Sequence, residues 1–590
     1  MRLADFVFES LADHGVDKVF LVTGRGALFL TDAVAKSKRL QAICTHHEQA
    51  AAYAATARSQ FHNELGVCLV STGCASTNAL TGVLNAYQDG LPVLFISGQN
   101  VLKETTYYTG HNVRTYGQQE ANIIEIVKPI TKYAVMVTDP RDIKRQLHEA
   151  LFLANDGKKG PVWIDIPLDL QSAQIEPDEL PCYEPIAQEI QAPEADIVYL
   201  KDALRSAKRP LLLIGSGVRS ANVLNKFSVF AHVNQIPVVV TPSSADCYGL
   251  SHTLSIGSIG SMGCSRAGAF AVQNADCVLV LGNRLSSITT GVDLCKFARN
   301  AKLIVVDIDE DEHKKSDLSI DRIVIQDLQF LFDKLGLLRL TDDTSEWVEK
   351  CHHWKARFAL EPHFASNDQV DLYDLTNSLS SHLAEDAIVI TDSGLIEVIL
   401  PSNLNFGSQR RMIHPVSQGS MGFSIPAVMG VADTGRQIVV VVGDGSFMMN
   451  LQELETIRAH KIPLKLIVVN NNVYSIIRRR QKELFRNRTI GTDPSNGVTV
   501  PNFEKVANLF DFDYVHINSP ALLEAGLKQV LHSDGPVLCE IMGKENQEYI
   551  EISHAKNSDG KFVRRPLEDQ WPFLERDVFL SEMLVEPIDQ

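Results

Sequence analysis

Two short runs of oxygen-bearing residues close apolar stretches of the chain: Gly443-Asp444-Gly445 and Asn470-Asn471-Asn472. Ile438 to Val442 is wholly apolar and reads as a buried parallel strand, and Leu464 to Val469 reads as a second. Between them Met448, Leu451, Leu454 and Ile457 recur at helical spacing until Pro463 breaks the pattern. A strand–helix–strand unit of this kind puts Asp444 and Asn471 on the C-terminal edge of one sheet, where open α/β folds bind ligands. A glycine turn at a helix N-terminus suits phosphate, but the lysine of a P-loop is missing. A carboxylate beside phosphate is repulsive unless a cation lies between them. Asp444, the Asn471 amide oxygen, a nearby backbone carbonyl and phosphate oxygens would form the all-oxygen shell that Mg²⁺ prefers. Gly443 and Gly445 are expected to serve the tight turn. Either half alone is as well read as a surface turn or an Asn-rich loop; the pair, each member closing a buried strand, is specific.

A further carboxylate stands at a strand-to-helix junction in His46-His47-Glu48-Gln49, just before the helix-forming run Ala50–Ala57. Alone, Glu48 is a carboxylate stabilised by the helix dipole. Together with the Asp444 and Asn471 runs it resembles the signature of thiamine diphosphate (ThDP) enzymes. The resemblance covers nearly the whole chain and is nearest to the acetolactate-synthase-like branch. It implies that Asp444, Asn471 and the Val473 carbonyl hold Mg²⁺, and that Glu48 bonds N1′ of the cofactor's aminopyrimidine. A glutamate sharing a proton with a ring nitrogen needs a dry pocket. QGSMGFSIPA (418–427) resembles the segment that holds the cofactor bent. Met421 would fill the angle between the rings, and the carbonyl of Gly419 or of Met421 would accept from the 4′-amino group. Gly443, Gly445, Ser446 and Asn78 complete the implied cofactor contacts. Gly26, in Gly24-Arg25-Gly26-Ala27, stands where the family places a backbone loop facing the thiazolium. Gln99 and Gln119 resemble polar residues facing donor or acceptor, and read equally well as solvated loop amides. His46 and His47 are candidate proton carriers or packing residues.

Glycines and charges also mark the middle of the chain. Gly215-Ser216-Gly217 follows an apolar run, with Arg284 and Asp307 further on. A GxG after a strand is weak support for a dinucleotide, but the set resembles the FAD-binding segments of acetolactate synthases, where FAD is structural. The chain also departs from that branch. Ser71-Thr72-Gly73-Cys74-Ala75-Ser76-Thr77-Asn78 replaces Ser-Gly-Pro-Gly-Ala-Thr-Asn, Gln118-Gln119-Glu120 replaces Phe-Gln-Glu, and Arg480 aligns with an active-site tryptophan. Arg478, Arg479 and Arg480 favour a larger, polar or phosphorylated acceptor, or form a solvated helix face. The runs VTGRGAL, CTHHEQA and RTYGQQE look like a subgroup that includes deoxysugar-branching carboligases.

The elements that must position these residues are α/β. With 590 residues the chain makes two to four domains. Three doubly wound parallel-sheet domains are expected: 1–175 for the pyrimidine end of the cofactor, 190–345 as a central domain open to FAD, and 365–550 for the diphosphate and Mg²⁺. A linker near 175–196 and a charged tail over 551–590 complete the chain. Strands are expected at Val19–Val22, Gln41–Thr45, Gly66–Val70, Pro92–Ser97 and Pro161–Ile166, and centrally at Leu211–Ile214, Val238–Val240, Cys277–Leu281 and Leu303–Val306. Residues 66–100 echo the metal-binding stretch: strand, glycine turn, helix, Leu-Pro, strand, polar end. A net charge of −17 argues against nucleic acid and anionic membranes. Ten cysteines without a CxxC pair, an amphipathic acidic N-terminal helix and no apolar run of membrane-spanning length point to a cytoplasmic protein. The expected reaction, following the resemblance, is decarboxylation of a 2-oxo acid, pyruvate, and ligation of the two-carbon unit to an acceptor carbonyl. A nucleotide-linked ketosugar acceptor, or a simple decarboxylase or oxidase, is the alternative. Family architecture implies a homodimer or homotetramer.

Overall fold

In the third domain the two apolar runs form neighbouring parallel strands, Ile438–Gly443 and Lys465–Asn470, in register from Val439 opposite Lys465 to Gly443 opposite Val469. This computed structural model describes residues 1–186, 189–315, 317–359 and 368–588. Parts of the expected linker (187–188), of the charged segment before the third domain (360–367) and of the tail (589–590) lie outside the described residues.

Each domain is built on a six-stranded, all-parallel sheet. The first contains β1 (Lys18–Leu21), β2 (Gln41–Cys44), β3 (Gly66–Val70), β4 (Val93–Gln99), β5 (Tyr133–Met136) and β6 (Val162–Pro167), ordered β2-β1-β3-β4-β6-β5. The second contains β7 (Pro210–Ile214), β8 (Val238–Val240), β9 (Ser255–Ser258), β10 (Cys277–Leu281), β11 (Lys302–Asp307) and β12 (Arg322–Ile325), ordered β12-β11-β10-β7-β8-β9. Counted within the domain this is the doubly wound 3-2-1-4-5-6 order, with its switch point between β7 and β10. The third contains β13 (Ile388–Ile390), β14 (Arg411–Ile413), β15 (Ile438–Gly443), β16 (Lys465–Asn470), β17 (Asp513–Ile517) and β18 (Val537–Met542), ordered β14-β13-β15-β16-β18-β17. The first and third sheets therefore share one topology, and the echo at 66–100 covers β3 and β4, the counterparts of β15 and β16.

The expected strands lie within two residues of the observed ones at either end. Beyond the expected strands the structure has β5, β9, β12, β13, β14, β17 and β18, all but β13 and β18 at sheet edges. β5 and β12 are only partly buried and so lack a continuous apolar run, while β9 reads Ser-Ile-Gly-Ser. The continuous helix expected over Met448–Ile457 is broken: turns join a short helix, Asp444–Phe447, to Glu453–Ala459. Met448 and Met449 are exposed, and the chain turns at Asn450 so that its side chain can bond elsewhere.

The alanine run explains how the first and third domains meet. Helix Glu48–His62 buries Ala50 to Ala55 and Ala57 completely. A Cβ on Gly430 of helix Ser424–Val431 would lie 2.4 Å from Ala54 O; within the first domain, one on Gly82 of helix Leu80–Asp89 would lie 2.4 Å from Ala52 Cβ. Small side chains on both helices thus let their backbones approach closely. Arg58 adds an ion pair to Asp433 (3.2 Å) across the seam and is held within the first domain by Asp17 (2.6 Å). The charged stretch after the central domain contains helix Ser345–Arg357, whose Trp347, Cys351 and Trp354 are buried. The tail packs on the same body, with Phe579 buried and the Gln570 carbonyl accepting from Arg266 at 2.9 Å.

Candidate active site

Asp444 leaves β15 on the C-terminal edge and is 3 % exposed. Its Oδ1 accepts from Gly445 N at 2.7 Å and its Oδ2 from Asn472 N at 2.6 Å. Burial pushes the carboxyl up to about 6, and among the described residues no Lys, Arg or His pairs with it. A buried carboxylate satisfied only by neutral backbone N–H groups is short of positive charge, and a cation would supply it. Asn471 Oδ1 accepts from Val473 N at 3.2 Å, while its Nδ2 donates to Ser475 Oγ at 2.8 Å and to the Lys544 carbonyl at 3.4 Å. Its amide oxygen is thereby oriented while its nitrogen is occupied. Asn470, by contrast, is tied to Glu540 at 2.6 Å. Among the described residues no group of three or more His, Cys, Asp or Glu could hold a metal. A divalent ion at Asp444 would need amide, carbonyl and non-protein oxygens, the set expected for Mg²⁺ shared with a diphosphate. These residues fit the implied ion.

The two turn glycines do different things. Gly443 has an ordinary φ of −73°, and a Cβ there would meet nothing within 4 Å. Gly445 is constrained by contact: a Cβ would lie 1.9 Å from Tyr474 Cε1. The expected turn strain is absent at Gly443, and at Gly445 a neighbouring ring replaces it as the reason for glycine.

The loop carrying Met421 is fastened to this turn. Gly422 N donates to Ser446 Oγ at 2.9 Å, which makes Ser446 a tie between the two segments. Gly419 (φ +56°) is turned back by its N–H bond to the Pro415 carbonyl at 2.7 Å, and Met421 is half-buried. Sequence reasoning missed Asp392, at the end of β13. It is completely buried, its Oδ2 accepts from Gly422 N (3.2 Å), Ser424 N (3.3 Å) and Ser424 Oγ (2.9 Å), and burial pushes it up to about 6. Its signal was present: Ile388-Val389-Ile390, then Thr391-Asp392-Ser393-Gly394, repeats the strand–Asp–Gly form of Asp444.

On the first domain, His47 caps the helix that begins at Glu48, accepting from Gln49 N at 3.1 Å. The structure brings Glu48 and Asn78 together, Asn78 Nδ2 donating to Glu48 Oε2 at 2.9 Å. Glu48 is half-exposed, so a single chain does not provide the expected dry pocket. His46 is engaged with Thr456 Oγ1 at 3.0 Å. Gly26 is buried with both peptide groups occupied: its N–H donates to Ser71 Oγ (3.1 Å) and its C=O accepts from Gln171 (2.6 Å). Gln119 is exposed, with φ +58°. Gln99 is turned into the protein. It is 1 % exposed and braces the sheet, donating to the Ala121 carbonyl (3.1 Å) and to Asp165 Oδ2 (3.2 Å). Arg478, Arg479 and Arg480 form no free cationic site, because each pairs with a glutamate; Arg478 is buried, Arg479 partly so, and Arg480 is exposed. Arg478 pairs with Glu545; Arg479 and Arg480 both bind Glu551, at 2.6 and 3.3 Å, and fasten helix Ser475–Leu484 to the segment after β18.

A second candidate ligand site is a cavity of about 240 Å³ at the central domain's switch point, lined by Gly215, Gly217, Arg284 and Asp307, with Asp89 and Ser417 from the neighbouring domains. Both glycines are needed for close packing, since a Cβ on Gly215 would lie 2.3 Å from Gly282 O and one on Gly217 2.6 Å from Gly282 Cα. Arg284 bonds Ser417 Oγ at 2.7 Å and the Gln88 carbonyl at 3.3 Å, joining three domains. Asp307 is held by the N–H groups of Ile308 and Asp309 and by His313 at 3.2 Å. The glycine-lined wall, Arg284 and the oriented Asp307 carboxylate fit a nucleotide.

Comparison with known proteins agrees with this geometry. Three family models match: thiamine pyrophosphate enzyme N-terminal TPP-binding domain over residues 1–126, central domain over 198–335, and C-terminal TPP-binding domain over 392–541. The chain is 31 % identical over 579 residues to an acetolactate synthase large subunit of Parasynechococcus marenigrum, covering 95 % of this chain and 90 % of that protein. It is 29 % identical to the Lactococcus lactis acetolactate synthase large subunit, covering 91 % and 92 %. Against the Escherichia coli acetolactate synthase isozyme 2 large subunit it is 28 % identical, covering 99 % of each.

Proposed function

The chain belongs to the thiamine diphosphate-dependent enzymes, in their acetolactate-synthase-like branch, and on that premise we propose that it decarboxylates pyruvate and ligates the two-carbon remainder to an acceptor carbonyl. The observation that carries the reading is the buried, uncompensated Asp444 beside the oriented Asn471, hydrogen-bonded through Ser446 to the Met421 loop. Asp444, Asn471 and the Val473 carbonyl would hold Mg²⁺. Thiamine diphosphate supplies the electron sink that accepts the pair left when CO₂ departs. The chain's own residues supply placement and proton handling. Glu48, its carboxylate oriented by Asn78, would share a proton with N1′ of the aminopyrimidine, and Met421 would hold the two rings in their bent relation.

A half-exposed Glu48 does not exclude water, so a second surface must cover it. Leu28, Met448 and Met449 are exposed apolar side chains on the segments that carry Gly26 and Asp444. They favour a second copy of the chain as that cover, in a homodimer or homotetramer. The acceptor best supported is a second pyruvate, giving acetolactate, because the three arginines that favoured a phosphorylated acceptor are occupied by glutamates. FAD, in a structural role, is the proposed ligand of the central cavity. A cytoplasmic location is the proposed one, and the scattered free cysteines support it; among the described residues no helix is long and apolar enough to cross a membrane.

The test is incubation of the purified protein with ThDP, Mg²⁺ and pyruvate. Acetolactate formation is expected. CO₂ release that waits for a nucleotide-linked ketosugar would move the acceptor to a sugar, and no turnover of any 2-oxo acid would refute the reading.

A further inference from the structure

The loop that carries Met421 is gripped at the next residue. Gly422 has φ +84°, and a Cβ there would lie 2.5 Å from Met449 Cβ, so both backbone and space demand glycine. Its N–H points to Asp392 Oδ2 and Ser446 Oγ, while its C=O accepts from Asn450 Nδ2 at 2.7 Å. The same Asn450 nitrogen donates to Gln49 Oε1 at 3.1 Å, and Gln49 directly follows Glu48. Asn450 is 1 % exposed, in the turn that interrupts the helix after Asp444. Gln452 Nε2 donates to its Oδ1 at 3.0 Å and so fixes which end of the amide faces Gly422. The segment between Gly419 and Gly422 thus takes its position from its ends: Pro415 behind, Asp392 and Asn450 ahead.

We propose that Asn450 and Asp392 are positioning residues for the cofactor-bending loop. They hold Gly422 from its two sides, and Asn450 ties that grip to the helix that starts at Glu48. The chain Asp392–Gly422–Asn450–Gln49 crosses from the third sheet to the first domain. It keeps the Met421 side chain and the Glu48 helix at a set separation. The inference rests on the cofactor reading above and adds the residues that make the bend reproducible. Neither residue need touch the cofactor; each acts through Gly422.

Asn450→Asp is the decisive variant, because it keeps the shape but replaces the donor facing the Gly422 carbonyl with an acceptor. With the full-length protein, Mg²⁺ and ThDP, the expected result is a cofactor Kd within about tenfold of the unaltered protein. The near-ultraviolet circular dichroism band of the bound cofactor is lost, and kcat falls about 10²-fold, as a displacement near 1 Å would cause. Asp392→Asn keeps an oxygen facing Gly422 and Ser424 and should keep the band. Should Asn450→Asp fail to fold, Gln49→Leu cuts the outermost bond alone, and a weakened band with an intact Kd is expected. An unaltered band and kcat in Asn450→Asp, or in Gln49→Leu where that stands in, would overturn the proposal. Loss of the band in Asp392→Asn would overturn it too, by making charge rather than position the cause. Failure of the unaltered protein to bind Mg²⁺–ThDP would bring down the cofactor reading and this inference together, an outcome distinct from failure of a variant alone.

Discussion

Gly445→Ala separates two reasons for a glycine beside a diphosphate: room for the ligand, or room for the protein. The added Cβ would stand 1.9 Å from Tyr474 Cε1 and 2.8 Å from both Cδ1 and Cζ. Ordinary contact needs about 3.5–4 Å, so either the ring or the turn must move well over an ångström. Tyr474 cannot slide freely, because its N–H is bonded to the Thr492 carbonyl at 2.8 Å. Overpacking of this kind costs about 1–3 kcal/mol, and if the turn yields, Asp444 moves with it. The Mg²⁺–ThDP Kd, measured by titration calorimetry, should then rise about 5- to 150-fold. Adding Tyr474→Ala to Gly445→Ala should restore most of that loss, a coupling that a double-mutant cycle reads directly. Gly443→Ala is the contrast. Its φ is ordinary and its surroundings are open, so thermal stability without cofactor should be unchanged and only cofactor binding should suffer. If the double variant binds no better than Gly445→Ala, the glycine serves the ligand and the packing explanation is refuted.

Glu48→Gln should lower kcat by about 10²–10⁴-fold while the Mg²⁺–ThDP Kd changes little; turnover at the normal rate would remove Glu48 from the mechanism. Burial pushes Asp165 up to about 7 from its ordinary 3.8. The folded protein therefore holds a proton that the unfolded chain releases, and this stabilisation is whole below about pH 4 and lost as pH rises to 7. The shift corresponds to about 4 kcal/mol, so the resistance of the first domain to chemical denaturation should fall from pH 5 to pH 8, with a flatter profile in Asp165→Asn. Glu551 is buried against Arg479 and Arg480. Arg479→Ala, which also loses contact with the Tyr549 and Trp571 rings, should lower the melting midpoint. The more exposed Arg480→Ala should lower it less, and equal effects would deny Arg479 the larger share.

What the sequence revealed was local. β15 and the Leu466–Val469 run of β16 are apolar because both faces of a central parallel strand are covered, and Asp444, Asn471 and Glu48 each follow such a strand or open a helix directly. Edge strands such as β5 and β12 are only partly buried and carry only a partial apolar signal. Side-chain direction was also out of reach. Gln99 ends a strand as Asn471 does, yet it turns into the sheet toward Asp165. The arginines on helix Ser475–Leu484 could be located but not partnered, because Glu545 and Glu551 lie far along the chain and reach them only through the fold of the tail. Asn450 was hidden for the same reason: its partners, Gly422 and Gln49, come from two other segments.

The shared topology of the first and third sheets accounts for where the site residues fall. In each sheet the strand at one edge, β2 or β14, leads into a connection and then a helix. After β2 that connection holds Glu48 and its helix is Glu48–His62; after β14 it holds Gly419 and Met421 and its helix is Ser424–Val431. These corresponding helices pack on each other through alanine and glycine, and so relate the two sheets in a near-symmetric way within one chain. The next correspondence holds as well. The turn after β3 leads to Asn78, the turn after β15 carries Asp444, and both precede strands, β4 and β16, that end in amides. A single duplicated scaffold can thus present a proton-handling edge and a metal-binding edge, with chemistry set by which connection carries the carboxylate. In the first domain the carboxylate follows the edge strand; in the third it follows β15. Under the proposed function the two carboxylates would serve opposite ends of one elongated cofactor, and the Asn450 bridge lies where the two half-scaffolds of a chain meet.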